Sequence, residues 1–150
     1  MLTAKQKEEI IKTATSHLGV AYDRGATAEQ SEQKIDCSLL SQIAYKSAGI
    51  EIERSSILQA ADKNAKEIEI TENYENLELG DLIFFRSDRG FYYDELFDFR
   101  KIYIGHVGIY IGNGEIIHAR KAKGGVLIEK LENLKNEDPS SYSITMIKRY

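Results

Sequence analysis

Cys37 is the residue whose type and position most readily suggest chemistry. It is the only cysteine among 150 residues and stands in "KIDCSLL", after Asp36 and just before a predicted helix. Backbone N–H groups at a helix N-terminus favour a thiolate, and such sites lower a cysteine pKa from about 8.5 to about 3.5–7.5. The neighbouring carboxylate opposes this effect. A free cysteine is also common as a small buried hydrophobe, so composition alone favours an inert role.

A thiol nucleophile needs a base, and the base needs an orienting partner. His17 lies beside the apolar stripe of the first predicted helix and is interpreted as a structural or surface residue. His106 lies in "GHVGIY", where Gly108 and Tyr110 share its strand face and the glycine leaves room for a substrate backbone. His118 ends the following strand. The alternative for both strand histidines is an ordinary half-exposed position.

The loop between His106 and His118 decides whether these two side chains share a face. Side chains alternate between the faces of a strand, so the number of loop residues sets the register. A two-residue turn at Asn113-Gly114 would place the histidines on opposite faces. A three-residue loop, Gly112-Asn113-Gly114, would place His118 opposite Gly108 and within reach of His106. We predict the three-residue loop, because the chemistry requires both imidazoles on one face.

Three helices are predicted in the first half of the chain. Thr3 and Gln6 form a capping-box pattern ahead of apolar residues at helical spacing. A second helix begins near Cys37 and ends before a glycine. The segment "RSSILQAADKNAKEI" is predicted as a third, shorter helix capped by Ser55 or Ser56.

The second half of the chain changes in character. Short β-branched or aromatic runs follow one another, separated by glycine, asparagine, proline or serine: "GDLIFF", "GHVGIYI", "GEIIHA", "GVLIEK" and "SITMIKR". Helices followed by strands, with links too short for crossover helices, predict an α+β fold with an antiparallel sheet of about five strands. The length and the absence of a linker-like segment predict a single domain over residues 1–150.

Composition narrows the functional classes. The net charge is −4 and no cluster of Lys or Arg stands out, so a nucleic-acid partner is not expected. No apolar run approaches the ~20 residues that span a membrane. The N-terminal segment lacks the apolar centre of a secretory signal, so the sequence as written predicts a cytoplasmic protein, with a trimmed leader or export by a non-classical, phage or secretion-system route left open. One cysteine excludes a disulfide framework, and a zinc site of Cys37, His106 and His118 is a weak alternative because the usual ligand spacings are absent.

Six segments, taken in order, resemble the NlpC family of cell-wall cysteine peptidases, which belong to the papain-like superfamily. "GVAYDRGA" is similar to the family's G-x-P-Y-x-W-G-G, and "IDCSLLSQIAYKSAGI" resembles its D-C-S-G nucleophile helix. "RSSILQ" and "LELGDLIFF" match two further motifs, "GHVGIYIGNGEIIHA" follows the histidine block closely, and "IKRY" resembles the closing strand. Leu39 and Ala26 each replace a glycine of the pattern, and Arg24 replaces its tryptophan. Leu79 stands where proline is common.

The resemblance implies a role for each matching residue. Cys37 would be the nucleophile, His106 the general base and acid, and His118 the polar residue that orients His106. Tyr22 would bind substrate or the oxyanion, and Asp36 and Ser38 would line the substrate groove, while structural roles are expected first for Arg54, Ser56 and Gln59. The implied reaction is hydrolysis of the γ-D-glutamyl–diamino-acid bond of peptidoglycan stem peptides or muropeptides through an acyl-enzyme, without a metal or cofactor.

Two other functions fit the same resemblance. A thiol acyltransferase or lipid deacylase would keep the fold and the nucleophile, and a catalytically silent binding or effector module would keep the fold alone. The aromatic segment 87–104, which exceeds the usual length of a hairpin loop, is the feature that bears on substrate choice. It is expected either to pack on its own aromatic residues or to narrow the cleft near His106.

Overall fold

The structure is a computed structural model that describes residues 1–87, 91–92 and 94–150. This part of the chain contains four α-helices: α1 (Ala4–Ser16), α2 (Cys37–Ser47), α3 (Ser56–Ala61) and α4 (Leu131–Glu137). Within the same residues, ten strands are found: β1 (Ala21–Tyr22), β2 (Lys34–Ile35), β3 (Lys66–Glu67), β4 (Leu82–Phe85), β5 (Phe91–Tyr92), β6 (Tyr103–Ile104), β7 (His106–Gly112), β8 (Glu115–Arg120), β9 (Gly125–Lys130) and β10 (Ile144–Arg149). Short 3-10 helices occur at Ala28–Gln30, Asp94–Phe97 and Lys121–Lys123.

The strands of the described residues form one eight-stranded sheet and a separate two-stranded ribbon of β5 and β6. The large sheet has the order β2-β1-β9-β8-β7-β4-β10-β3. Its five central strands are antiparallel and coincide with the five runs predicted from the sequence. The predicted α+β class is therefore confirmed, whereas the predicted count of about five strands is too low.

The additional strands are short and lie at the sheet edges. β1, β2 and β3 each contain two residues, and β1 pairs with β2 in parallel. Two residues are too few to show an alternating pattern in the sequence. They are recruited by pairing with neighbouring strands, so local propensity does not reveal them.

The three N-terminal helices cover one face of the sheet. Their apolar residues pack with inward-facing strand residues such as Val107, Ile109 and Ile117. On the opposite face, Leu131 and Leu134 of α4 pack against a smaller cluster that includes Phe85, Tyr110 and Ile116. The sheet is therefore buried on both faces near its centre, which fixes the register of β7 and β8.

The helix predictions are largely confirmed. The predicted capping box is present, since the Thr3 hydroxyl accepts from the Gln6 N–H and the Gln6 side chain accepts from the Thr3 N–H. α2 begins at Cys37 as predicted. The third helix is shorter than predicted, because the chain leaves the helical conformation after Ala61 and then pairs as β3. α4 was not predicted.

The hairpin of β7 and β8 reaches the predicted register by a different route. The turn is the two-residue Asn113-Gly114, with φ of 54° and 73°, so the predicted three-residue loop is wrong. A bulge at Ile111 supplies the additional residue, because Tyr110 pairs with Ile116 and Gly112 pairs with Glu115. An extra residue on one strand restores the parity that a two-residue turn removes. His106 and His118 consequently share a face, as predicted.

Only part of the aromatic segment can be compared with its prediction. Tyr93 and residues 88–90 lie outside the described residues. Phe97 packs in the main core, whereas Phe99 is exposed. Among its described residues, Ser87 lines the cavity that holds Cys37 and His106.

Candidate active site

Cys37 occupies the first position of α2 and lies against the start of β7. Asp36 caps the helix, and its carboxylate accepts from the backbone N–H of Leu39. The backbone N–H groups of Val107 and Ser38 lie close enough to the Cys37 thiol to favour its charged form. Val107 is the residue after His106, so this contact holds the thiol beside the strand that carries the histidine.

Cys37 is half-buried in the cavity lining, and desolvation by the surrounding protein determines the protonation of its thiol. This desolvation raises the pKa of the thiol to about 11, and the charge of Asp36 adds to this effect. The hydrogen bonds from Val107 and Ser38 lower the pKa by less than burial raises it. The expectation of a lowered pKa at this helix terminus is therefore wrong, because desolvation of the charged form outweighs the backbone N–H groups.

His106 and His118 form a direct pair behind the thiol. Nε2 of His106 lies 2.7 Å from Nδ1 of His118, and the rings meet edge to face with centroids 5.0 Å apart. Gly108 lies opposite His118, where a Cβ atom would come within 2.8 Å of Ile116 and 3.4 Å of His118 Cβ. The glycine therefore lets the two strands carry imidazoles side by side, although the sequence argument gave it the different role of making room for substrate.

Both histidines are neutral at neutral pH. Burial lowers the pKa of His106 well below its ordinary value, and the charges of His118 and Arg120 lower it further. Burial also lowers the pKa of His118, against the opposing hydrogen bond to Glu129. At neutral pH the cavity is consequently lined by a protonated thiol and a neutral imidazole.

Glu129 and Arg120 extend the pair and were not singled out from the sequence. Oε2 of Glu129 lies 3.1 Å from Nε2 of His118, and Arg120 donates to Glu129 at 3.0 Å and to Glu137 at 3.0 Å. Tyr142 closes the group, with its ring 6.1 Å from that of His118. The sequence feature that could have identified Glu129 is the alternation of faces in "GVLIEK". Once β8 and β9 are paired, Glu129 lies on the same face as His118 and diagonally across from it.

Asp36 and Ser38 line the cavity, and both are engaged by Arg54. Asp36 is 6% exposed, and its carboxylate is bonded to the Arg54 guanidinium at 3.0 and 2.7 Å. Its oxygens also accept from the backbone N–H groups of Gly25 and Leu39. The Ser38 hydroxyl accepts from Arg54 at 2.9 Å. These bonds make both residues part of the frame that joins the loop after β1 to the start of α2.

The cavity has a volume of about 1400 Å³ and contains most of the predicted site residues. Its lining includes Tyr22, Asp36, Cys37, Ser38 and His106, while His118 is 0% exposed and lies behind His106. Burial and the charges of Cys37 and Asp36 raise the pKa of Tyr22 to about 12, so its hydroxyl remains a hydrogen-bond donor beside the thiol.

The arrangement can activate a thiol toward a carbonyl carbon. A neutral imidazole can take the thiol proton, and a phenol can donate to the oxygen that becomes charged. In the part of the chain that the structure describes, no group of three His, Cys, Asp or Glu side chains is placed to hold a metal ion. Among the described helices, none has both the length and the apolar character needed to cross a membrane.

Comparison with known sequences shows one family. The sequence profile of the NlpC/P60 family matches residues 19–139. A γ-D-glutamyl-L-lysine dipeptidyl-peptidase from Bacillus cereus is 34% identical over 121 residues, which cover 81% of this chain and 31% of that protein. A probable endopeptidase p60 from Listeria monocytogenes is 34% identical over 111 residues, covering 74% of this chain and 18% of that protein. The chain thus spans a third or less of the length of these two relatives.

Comparison with solved structures gives the same result. NlpC1 from Trichomonas vaginalis superposes with a TM-score of 0.76 at 26% identity, covering all of this chain and 46% of that one. An NlpC/P60 family protein from Bacillus cereus superposes with a TM-score of 0.69 at 30% identity, covering 96% of this chain and 40% of that one.

Proposed function

The chain belongs to the NlpC/P60 family, and from this membership we propose that it is a cysteine hydrolase that cleaves an amide bond in peptidoglycan stem peptides. The observation that carries the proposal is the placement of Cys37 and His106 in the lining of one cavity, with His118 bonded to His106 behind it. A thiol, a base and a residue that orients the base are the parts that covalent amide hydrolysis requires.

The first chemical step forms an acyl-enzyme. His106 takes the proton of the Cys37 thiol as the sulfur attacks the scissile carbonyl carbon, and the carbonyl electron pair moves to oxygen. When the tetrahedral intermediate collapses, the C–N bond breaks and the protonated His106 gives its proton to the leaving nitrogen. The thioester and the free amine are the products of this step.

The second step restores the enzyme. His106 takes a proton from water as the water oxygen attacks the thioester carbonyl, and the C–S bond breaks. The proton returns to sulfur, so the thiol is regenerated and the peptide leaves with a new carboxyl group.

Tyr22 and His118 have supporting roles in this proposal. The Tyr22 hydroxyl stays protonated and can donate to the oxyanion or to a substrate carbonyl. His118 holds the His106 ring through the 2.7 Å contact between their nitrogens. Asp36 and Ser38 shape the groove, with their side chains fixed by Arg54.

The proposed substrate is the γ-D-glutamyl–diamino-acid bond of a muropeptide or stem peptide. The Bacillus cereus relative supports this choice, since it is a γ-D-glutamyl-L-lysine dipeptidyl-peptidase by name. The cavity of about 1400 Å³ is large enough for several residues of an extended peptide.

Mass spectrometry of purified muropeptides incubated with the protein tests the proposal. We expect products that together gain one water across the γ-D-glutamyl bond with the wild type and none with Cys37→Ala. Cys37→Ser is the matched control for the fold, since a hydroxyl is nearly isosteric with the thiol but is not activated by a neutral imidazole. Wild-type inactivity toward all such peptides, or full activity of Cys37→Ala, would overturn the proposal.

A further inference from the structure

Glu129 is the acidic residue that contacts His118 on the side away from His106. It lies on β9, diagonally across from His118 on β8, and its Oε2 is 3.1 Å from His118 Nε2. Burial alone would raise the pKa of Glu129, but the hydrogen bonds from His118 and Arg120 and the positive charge of Arg120 hold that pKa below its ordinary value. Glu129 is therefore ionised and can only accept a hydrogen bond.

The charge of Glu129 fixes where the proton of His118 resides. A neutral imidazole carries one N–H, and burial keeps His118 neutral at neutral pH. Because the carboxylate can only accept, that N–H must be at Nε2, which leaves Nδ1 of His118 as an acceptor. The 2.7 Å contact between His118 Nδ1 and His106 Nε2 then requires the proton to be on His106 Nε2.

The same reasoning leaves His106 Nδ1 without a proton. His106 is neutral because burial lowers its pKa well below the ordinary value, so it carries one N–H only. With that N–H at Nε2, the lone pair at Nδ1 is available to take the thiol proton. We propose that Glu129 is a positioning residue that sets the tautomers of His118 and, through it, of His106, so that the base presents an unprotonated Nδ1. This inference rests on the proposed cysteine hydrolase mechanism.

Arg120 and Tyr142 complete the surroundings of His118. Arg120 is on the same strand as His118 and is shared between Glu129 and Glu137, and its guanidinium lies 5.0 Å from the centre of the Tyr142 ring. The groups facing His118 are thus His106 on β7, Glu129 on β9, Arg120 on β8 and Tyr142 before β10. Of these four residues, Glu129 is the one whose carboxylate contacts Nε2 of His118, the ring nitrogen that faces away from His106.

Glu129→Gln is the informative substitution, because it keeps the shape and removes the charge. The Gln amide can donate to His118 Nε2, which would move the protons of both rings to Nδ1 and remove the free lone pair of His106. In a Ser-His-Asp triad the equivalent loss of the correct tautomer lowers kcat by about 10⁴-fold, and we expect a fall of at least about 10²-fold here, with KM changed less than about threefold. Glu137→Gln is the matched control, since the Glu137 carboxylate also pairs with Arg120 but is bonded to the guanidinium and not to the imidazole of His118.

Nitrogen NMR of the imidazole rings provides a readout that needs no substrate. The wild type and Glu137→Gln should show both His106 and His118 as the Nε2–H tautomer at neutral pH, whereas Glu129→Gln should populate the Nδ1–H form of both. The acidic limb of the rate profile should also move to lower pH in Glu129→Gln, because loss of the carboxylate destabilises the imidazolium.

The outcomes separate this inference from the proposed function. A wild type that hydrolyses no muropeptide contradicts the proposed function, while the tautomers of its histidines still test the role of Glu129. An Nδ1–H tautomer of His118 in the wild type would overturn the inference. So would a kcat of Glu129→Gln within about threefold of the wild type, or a large loss of kcat with unchanged tautomers in a variant that melts at the wild-type temperature.

Discussion

The protonation state of Cys37 leads to the most direct test of the site. Burial raises the thiol pKa from 9.0 to about 11, and the thiolate is the form that reacts with iodoacetamide. A rise of about two pKa units lowers the thiolate fraction at neutral pH by about 100-fold. The alkylation rate of the native protein should therefore be about 100-fold below that of a free cysteine peptide.

The assay follows modification by intact-protein mass spectrometry between pH 5 and pH 11. Because Cys37 is the only cysteine, every added carbamidomethyl group on sulfur reports on this site. We expect the rate to rise about tenfold per pH unit without a plateau below about pH 10. The same protein unfolded in urea should follow an ordinary thiol titration, since unfolding removes the burial.

A His106→Gln variant distinguishes the two possible resting states. If the thiol is protonated and His106 neutral, removal of the imidazole changes the alkylation rate little. A stable thiolate–imidazolium pair would instead give a plateau below about pH 8 in the wild type, and that plateau would disappear in the variant. Such a result would refute the reasoning that desolvation controls this thiol.

Three further predictions concern the stability of the protein around the site. Arg54→Ala should lower the free energy of unfolding by about 2–3 kcal/mol in a urea titration. This is less than the 3–5 kcal/mol typical of a broken buried ion pair, because the Asp36 carboxylate keeps two backbone N–H donors. Arg100→Ala, which breaks an exposed pair, should cost under about 1 kcal/mol in the same titration. Gly125→Ala should cost about 3 kcal/mol and reduce turnover, because its Cβ would lie 2.2 Å from the Val20 carbonyl oxygen, next to the strand that carries Tyr22. Gly124→Ala meets open space and should cost about 1–2 kcal/mol for its φ of +81°, without loss of turnover. The pKa of His106 is lowered in the folded state, so the unfolded chain binds more protons at acidic pH. The free energy of unfolding should therefore fall as the pH drops below about 6.5, by up to about 1.4 kcal/mol per pH unit, and it should fall less steeply in His106→Gln. A flat dependence in the wild type would contradict this prediction.

Local patterns in the sequence were enough to identify the main elements. The capping residues Thr3 and Ser55 lie at helix starts because their side chains satisfy backbone N–H groups within a few residues. The five central strands were visible as apolar runs bounded by turn residues. The order of motifs around Cys37 and the strand histidines was likewise sufficient to indicate the family.

The edge strands, the hairpin geometry and the electrostatics of the site depended on tertiary structure. The turn at Asn113-Gly114 follows local preference, but the compensating bulge at Ile111 does not, because both faces of the sheet are packed and the register must satisfy them together. Glu129 reaches His118 only through the pairing of β8 with β9.

The charge state of Cys37 shows the limit of the sequence most clearly. A helix N-terminus is a local feature, and it correctly indicated backbone N–H groups around the thiol. The degree of burial depends on how α2 packs against β7, far away along the chain. Because desolvation acts on the charged form more strongly than the two N–H groups do, the fold raises a pKa that the local pattern predicted to be lowered.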